Sequence, residues 1–151
     1  RVINLEGIDI RKTEKIQNFV AESSVLFCSV DVSFIPVEGI FASVLPFLAD
    51  RARIVCLIKP QFEAGKENVG KKGVVRDPKV HADVIKKVVA FAKEEGFGIA
   101  GLDFSPIKGP EGNIEYLLHL TLGDDNAVSE TMIDELVSKS HGDLDKPQTQ
   151  E

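Results

Sequence analysis

Residues 53–65 read Arg-Ile-Val-Cys-Leu-Ile-Lys-Pro-Gln-Phe-Glu-Ala-Gly, and they contain a continuous apolar run that ends in a lysine. The run from Arg53 to Ile58 has the length and composition of a strand that is covered on both faces. Lys59 therefore lies where this strand reaches the surface. Residues 60–76 follow without an apolar period, which is typical of a functional lid or a disordered segment. We accordingly expect residues 61–76 to be more mobile than their flanks.

Composition indicates one globular domain, because the 151 residues are 43% hydrophobic and 28% charged. No window reaches the apolar length of a membrane span, and the N-terminus lacks a signal-peptide pattern, which favours the cytoplasm. Cys28 and Cys56 each lie in an apolar run without His or Cys at metal-binding spacing, so we expect reduced core cysteines and no metal site. His81 also lacks a partner for metal binding and is interpreted as a structural or surface histidine.

The formal net charge of -6 is unevenly distributed along the chain. Residues 124–151 carry all of it, so residues 1–123 are neutral. Within the neutral part, residues 59–79 hold six cations against three acids. A basic segment of this kind can bind phosphate groups, and a solvated lysine-rich loop is the alternative. The candidate contacts are Lys66, Lys71, Lys72 and Arg76.

The order of predicted elements is that of an α/β chain with helices on both faces of the sheet. A short turn makes the last two strands antiparallel, and helix-linked strands should be parallel with right-handed crossovers. Residues 124–151 are predicted to be an acidic helix and a disordered tail after the main body, 1–123. The predicted strands are Val2 to Leu5, Val25 to Val30, Arg53 to Ile58, Phe97 to Phe104 and Ile114 to Leu120. The predicted helices are Val37 to Leu48, Pro78 to the stop at Gly96 with Asp77 as cap, and Asn126 to Ser138, followed by a tail from His141 to Glu151.

This strand order places three charged residues at one edge of the sheet. Asp31 follows the strand Val25 to Val30, and Lys59 follows the parallel strand Arg53 to Ile58, so both lie at carboxyl ends, where open α/β sheets bind ligands. Glu115 begins an antiparallel strand, and its start therefore lies at the same edge. Two carboxylates and a lysine beside a basic loop indicate a proton-transfer site. Three ordinary strand-end charges are the alternative interpretation.

Four segments in order resemble a known family. They are Asp31–Ile35, Lys59–Gly65, Gly73–Pro78 and Gly109–Glu115, and they are similar to those of the hemolysin A (TlyA-type) ribosomal RNA methyltransferases, relatives of the FtsJ-type ribose methyltransferases. The resemblance implies a Rossmann-like, S-adenosylmethionine-dependent methyltransferase fold, with a parallel sheet and one antiparallel strand. It implies methylation of ribose 2'-hydroxyls in ribosomal RNA, which would make the basic residues RNA-binding. It also implies catalytic roles for Asp31, Lys59 and Glu115.

Several family features have no counterpart in this sequence. These are the S4-like RNA-binding domain, the first catalytic lysine and the Gly-rich strand-loop-helix that holds the methionine part of the cofactor. We therefore expect the C-terminal half of a methyltransferase domain, and a first residue Arg1 rather than Met fits a fragment. The resemblance leaves Asp9, Ile10 and Asp31 as cofactor contacts, with Asp9 reading the adenine amino group. An acidic helix cap is the alternative for Asp9.

The implied chemistry explains the residue types. A ribose hydroxyl is a poor nucleophile, so its methylation needs in-line alignment and removal of the hydroxyl proton. Lys59 is the candidate base, and a lysine loses its proton more readily when a second cation lies nearby. Without the family's first lysine, Asp31 and Glu115 would hold Lys59 protonated. We therefore expect this chain alone to be a poor catalyst that binds S-adenosylmethionine weakly or not at all.

Two other functional classes are alternatives to the enzyme. A truncated paralogue or one partner of a split protein would be a non-catalytic interaction module, and an upstream Gly-rich strand-loop-helix in frame would argue against it. A pore-forming hemolysin is disfavoured, because the sequence contains no apolar or strongly amphipathic membrane segment.

Overall fold

The computed structural model describes residues 2–145, which form one mixed four-stranded sheet with helices packed against it. The helices and strands are, in chain order, α1 (Thr13–Ile16), β1 (Val25–Val30), α2 (Glu38–Val44), β2 (Leu48–Ile58), α3 (Pro60–Glu63), α4 (Pro78–Glu94), β3 (Gly98–Phe104), β4 (Tyr116–Thr121) and α5 (Glu130–Leu144). Short 3₁₀ turns occur at Leu45–Phe47, Lys66–Asn68, Lys71–Gly73 and Pro110–Gly112.

The strand order in the sheet is β1-β2-β4-β3. β1 and β2 are parallel, and β4 is antiparallel to both β2 and β3, as the connections predict. Ile58, the last residue of β2, pairs with Tyr116, the first residue of β4. The end of β2 and the start of β4 therefore lie at the same edge of the sheet, next to the end of β1.

Helix α4 forms as its sequence predicts. The Asp77 side chain accepts a hydrogen bond from the Lys79 backbone N–H at 2.9 Å, and Pro78 occupies the first helical position, where a missing N–H costs nothing. The buried face of α4 packs against the sheet and against α2 and α5. The chain leaves the helix at Gly96, whose φ of +89° is left-handed and favours glycine.

Helices α2, α4 and α5 pack on one face of the sheet, whereas the sequence pattern predicted helices on both faces. The buried face carries Ile54, Cys56 and Tyr116, while Val55 and Leu57, which point the opposite way, stay partly exposed. The reason lies in the connections. The β1-α2-β2 and β2-α4-β3 crossovers progress in the same direction across the sheet, so a common right-handed sense places both helices on the same face.

Some predicted boundaries were wrong. Val2–Leu5 is not a strand, because no strand within residues 2–145 pairs with it. β2 begins at Leu48 rather than Arg53, since Val25 of β1 extends the ladder to Leu48 across an irregular register. The predicted helix Val37 to Leu48 is confirmed as α2 followed by the 3₁₀ turn that contains Pro46.

The last helix differs most from its prediction. α5 begins after Ser129, whose side chain accepts a hydrogen bond from the Met132 N–H at 3.2 Å, rather than at Asn126. It continues to Leu144, so the prediction of a disordered tail was wrong for His141 to Asp145. The buried residues Ile133, Val137 and Ser140 pack α5 against the rest of the structure just before this last turn. The remainder of the predicted tail, residues 146–151, lies outside the described residues.

The cysteines are part of the core, as predicted. Cys56 is buried and Cys28 is partly buried, and both are free thiols. Burial raises the pKa of the Cys56 thiol to about 12, which makes it unreactive. No helix in the described part of the chain is both long and apolar enough to cross a bilayer.

Candidate functional site

The structure places Asp31, Lys59 and Glu115 at one edge of the sheet, as the strand order predicts. Asp31 directly follows β1, Lys59 directly follows β2, and Glu115 directly precedes β4. The Lys59 ammonium lies 2.5 Å from the Asp31 carboxylate and 3.3 Å from the Ser33 hydroxyl. The Lys59 side chain is only 12% exposed, whereas that of Asp31 is 67% exposed. This edge therefore combines a shielded lysine with an accessible carboxylate, and the catalytic role of the three residues stays a prediction.

Glu115 is held by neighbours that the sequence did not single out. Its residue exposure is 6%, and its Oε1 accepts a hydrogen bond of 2.9 Å from the Gln61 side-chain amide. Gly109 lies so close that a Cβ there would overlap the Glu115 carboxylate. Within residues 2–145 no cation lies within ion-pairing distance of Glu115. The carboxylate is thus buried with one donor and a remaining capacity to accept hydrogen bonds.

Lys59 and Glu115 line the same cavity, whose volume is about 790 Å³. We call it the catalytic cavity because two of the residues predicted to be catalytic line it. Its walls combine the ends of β1 and β2 with the basic loop and with the Pro110–Gly112 turn. A volume of this size accommodates a nucleotide-sized ligand. Among the predicted RNA contacts, Lys66 and Lys72 line this cavity, and Lys71 and Arg76 do not.

An aromatic pair lies at the rim of the catalytic cavity. Phe34 is 85% exposed, and its ring centroid lies 4.8 Å from that of Phe62. The Phe34 backbone adopts φ +66°, a left-handed conformation that is strained for a bulky residue. A strained, exposed aromatic side chain beside a polar cavity is suited to stacking on a planar ligand. The sequence pattern did not indicate Phe34 as a site residue, although Phe34 lies in the segment Asp31–Ile35.

The basic loop, residues 60–76, contains short helical segments that its sequence did not predict, and its mobility relative to its flanks stays a prediction. It contains α3 and the two 3₁₀ turns at Lys66–Asn68 and Lys71–Gly73, and Gly70 N–H donates to Val74 O at 3.0 Å. Its four predicted RNA contacts are exposed, and none has an acid within ion-pairing distance among residues 2–145. The cations are therefore available to an anionic ligand. Those four residues are Lys66, Lys71, Lys72 and Arg76.

Asn113 joins the basic loop to the segment that carries Glu115. Its side chain is buried, its Oδ1 accepts from the Val75 N–H at 3.2 Å, and its Nδ2 donates to Gly73 O at 3.0 Å and to Pro110 O at 3.1 Å. One side chain therefore fixes two loops that line the site. Glu111 in the second loop has φ +59°, which fits a tightly constrained turn.

A buried polar network lies behind Glu115. His81 in α4 contacts Val75 O through Nε2 at 2.9 Å and the Tyr116 hydroxyl through Nδ1 at 2.8 Å, and Tyr116 contacts the Ser140 hydroxyl of α5 at 3.0 Å. Because a carbonyl oxygen only accepts, Nε2 carries the proton and Nδ1 accepts from Tyr116. Burial lowers the pKa of His81 and raises that of Tyr116 to about 12, so both are neutral. His81 is thus the structural histidine that the sequence indicated.

Asp9 and Ile10 are not brought to the catalytic cavity. The Asp9 carboxylate accepts hydrogen bonds from the Arg11 backbone at 3.0 Å and from its guanidinium at 2.7 Å. These bonds lower the pKa of Asp9 to about 2. Ile10 is partly buried and packs against the core. Their cofactor role stays a prediction. In residues 2–145, His, Cys, Asp and Glu side chains form no cluster that could hold a metal ion.

Comparison with known proteins identifies relatives of this chain. The model of the FtsJ-like methyltransferase family matches residues 1–122. The chain is 54% identical over 94 residues to the candidate rRNA methyltransferase YqxC of Bacillus subtilis, covering 62% of this chain and 34% of YqxC. It is 38% identical over 110 residues to the 16S/23S rRNA (cytidine-2'-O)-methyltransferase TlyA of Mycobacterium tuberculosis, covering 73% of this chain and 41% of TlyA.

A solved structure shares the fold. A candidate hemolysin from Streptococcus thermophilus superposes with a TM-score of 0.81 at 41% identity, covering 91% of this chain and 50% of that one. The chain thus spans half or less of the length of these relatives. It belongs to the FtsJ-like methyltransferase family.

Proposed function

We propose that this member of the FtsJ-like methyltransferase family is the C-terminal half of the catalytic domain of a ribosomal RNA 2'-O-ribose methyltransferase that uses S-adenosylmethionine. The observation that carries the proposal is the Lys59–Asp31 ion pair beside the buried Glu115 carboxylate, all at one edge of the sheet and next to one cavity. The rRNA 2'-O-methyltransferase activity named for TlyA supports the choice of reaction.

The site residues have complementary tasks in this reaction. A ribose 2'-hydroxyl must be aligned and must lose its proton as the new bond to carbon forms. Glu115, fixed by Gln61 and enclosed by Gly109, accepts a hydrogen bond from a ribose hydroxyl and sets its direction. Lys59 directly follows β2 and lines the same cavity, where it takes the hydroxyl proton when its amine is neutral.

The ion pair explains why this chain alone should be inefficient. The Asp31 carboxylate engages the Lys59 side chain, so Lys59 is held away from a ribose hydroxyl while it is paired only with Asp31. A second cation near Asp31 would compete for the carboxylate and release the Lys59 side chain. Residues 2–145 place no such cation within ion-pairing distance of Asp31. We propose that the remainder of the enzyme supplies it.

The described residues could hold only part of an S-adenosylmethionine molecule. Asp31 offers an exposed carboxylate at the end of β1, where α/β sheets bind ligands, and Asp9 and Ile10 lie in a separate turn. When bound, this cofactor supplies an electrophilic methyl group. β1 is an edge strand whose Leu26 and Phe27 are 66% and 63% exposed, so it can pair with a further strand. We propose that the Gly-rich cofactor-binding part of the sheet joins there.

Ribosomal RNA fits the exposed groups around the site. Lys66, Lys71, Lys72 and Arg76 offer positive charge for phosphates, and Phe34 offers a surface for a base. Since ribosomes are the substrate in this proposal, the enzyme acts in the cytoplasm.

Two measurements test the proposal. Isothermal titration with S-adenosylmethionine should show weak or absent binding to this chain and clear binding to a full-length parent that contains it. Transfer of labelled methyl groups to ribosomal RNA should occur with the parent, and nucleoside analysis should place the methyl on a ribose. Equal micromolar affinity in both proteins would contradict the half-domain assignment. A parent that binds RNA but never transfers methyl would favour the non-catalytic interaction module.

A further inference from the structure

A second cavity lies beside the catalytic cavity. Its volume is about 490 Å³, and Lys71, Lys72 and Arg76 line it together with Asp77. Lys72 lines both cavities, whereas Lys66 lines only the catalytic one. The turn that carries Lys72 thus forms a ridge between two spaces, and the four basic residues of the loop are divided between them.

The second cavity has an uncompensated positive charge. Its acid, Asp77, caps α4 by accepting a hydrogen bond from the Lys79 N–H at 2.9 Å. Lys71, Lys72 and Arg76 have no acid within ion-pairing distance in the described part of the chain. Three cations around one space repel one another, and an anion there relieves that repulsion.

The backbone holds this arrangement in place without a ligand. Lys72 has φ +65° and Gly73 has φ +73°, and the left-handed conformation of a lysine is a local cost that the surrounding contacts must offset. Those contacts include Gly73 N–H to Gly70 O at 3.2 Å and Asn113 Nδ2 to Gly73 O at 3.0 Å. The cations are therefore presented by a fixed turn, which lowers the entropy cost of binding an anion.

We propose that the second cavity binds the backbone phosphate adjacent to the target nucleotide while the target ribose occupies the catalytic cavity. This inference rests on the proposed function, since it takes RNA as the ligand. Arg76 suits two phosphate oxygens through its planar fork, and Lys71 adds a point charge. The ridge at Lys72 then separates successive nucleotides and sets which ribose reaches Glu115. Lys66 contacts the target nucleotide itself.

The test is RNA binding by this chain, which is measured separately from methyl transfer. Fluorescence anisotropy with a short single-stranded rRNA oligonucleotide should show a roughly tenfold or larger rise in Kd for Lys71→Ala combined with Arg76→Ala. The slope of log K against log salt should fall by about 0.7 for the lost phosphate contact. The matched control is Arg51→Ala with Arg53→Ala, which removes two exposed cations from the opposite end of β2 and should leave Kd unchanged.

A chemical change in the RNA locates the phosphate. A neutral methylphosphonate next to the target nucleotide should weaken binding to the unaltered chain about as much as the double variant does, and should weaken the double variant no further. Equal effects of the double variant and its control would overturn the proposal. The proposal would also be overturned if a methylphosphonate weakened binding equally at every linkage of the oligonucleotide. Inorganic phosphate binding as tightly as the oligonucleotide would also overturn it, since the cavity would then bind a small phosphorylated ligand.

Discussion

The ammonium of Lys59 lies 2.5 Å from the carboxylate of Asp31, so an ion pair joins the ends of two neighbouring parallel strands. The pair is asymmetric, because Lys59 is shielded from solvent and Asp31 is exposed. Lys59 is therefore oriented by a carboxylate that remains accessible to a further charged group.

Two replacements of Lys59 distinguish its role in proton transfer from the role of its positive charge. In a full-length parent, Lys59→Ala should lower kcat by roughly a hundredfold or more, the usual contribution of a positioned acid or base. Lys59→Arg keeps a positive charge that cannot be lost near neutral pH, so it should restore the contact with Asp31 but not the rate. Single-turnover methyl transfer measures both variants. Full activity of the arginine variant would mean that Lys59 only orients the substrate.

Gly109 is predicted to be essential for the position of Glu115. Gly109→Ala should displace the Glu115 carboxylate and break its bond to Gln61, since a Cβ has no room there. The free energy of unfolding should fall by about 1–3 kcal/mol. Urea unfolding monitors the change. The control is Gly142→Ala in α5, where nothing lies within 4 Å of the added Cβ, and it should be neutral or slightly stabilising. Similar losses in the two variants would contradict the prediction.

Asn113 is predicted to couple the basic loop to the site. Asn113→Ala removes three hydrogen bonds and leaves the buried Val75 N–H unpaired, which should cost about 2–4 kcal/mol of stability. Hydrogen exchange at the Val75 amide should accelerate more than exchange in β4. Asn68→Ala, which removes one exposed bond to Ala64 O, is the control and should have a small effect. Unchanged protection of the Val75 amide would show that the Asn113 side chain does not hold the basic loop in place.

His81 is predicted to make stability depend on pH. Burial lowers its pKa below the ordinary 6.5, so the unfolded chain binds a proton more readily than the folded one. The free energy of unfolding should therefore decrease as the pH falls through 6.5 towards the lower folded pKa. His81→Gln should flatten the profile in this window, while His119→Gln serves as the control. Chemical unfolding from pH 7.5 to 5 gives the slopes, and an unaltered slope in His81→Gln would refute the assignment.

Phe34 is predicted to stack on an RNA base. Phe34→Ala should weaken RNA binding by about 1–3 kcal/mol, whereas Phe34→Tyr should retain most of the affinity. Ile107→Ala removes another exposed apolar side chain outside the catalytic cavity and should not alter binding. Anisotropy titrations compare the three variants. An equal loss for Ile107→Ala would indicate a general effect of surface apolarity.

Most of the sheet was predictable because local pattern and tertiary environment agree. The apolar run Val25–Val30 is β1, and Asp77 with Pro78 starts α4, since a cap and a fixed φ act within a few residues. The end of α5 was not predictable, because it depends on Ser140 meeting Tyr116 across the structure. Val2 to Leu5 has a strand pattern but no pairing strand among the described residues.

The charged residues of the candidate site were predictable from the sequence, but the residues that hold them in position were not. Strand order alone places Asp31, Lys59 and Glu115 together. The roles of Gln61 and Asn113 depend on contacts between loops distant in sequence, which no local period encodes. The positive φ of Phe34 is likewise invisible in its residue type. The one available signal was the segment Gly109–Glu115, where glycines flank a polar residue in a tight turn.

In the proposed assembly, the exposed edge of β1 also affects the chain before a further strand joins it. A strand with one open edge and with solvent-facing Leu26 and Phe27 is a template on which another chain can add a strand. During synthesis or after proteolytic separation, each copy would compete with the correct partner for that edge. Self-association should therefore rise with concentration, and timely capture of this edge decides between productive assembly and aggregation.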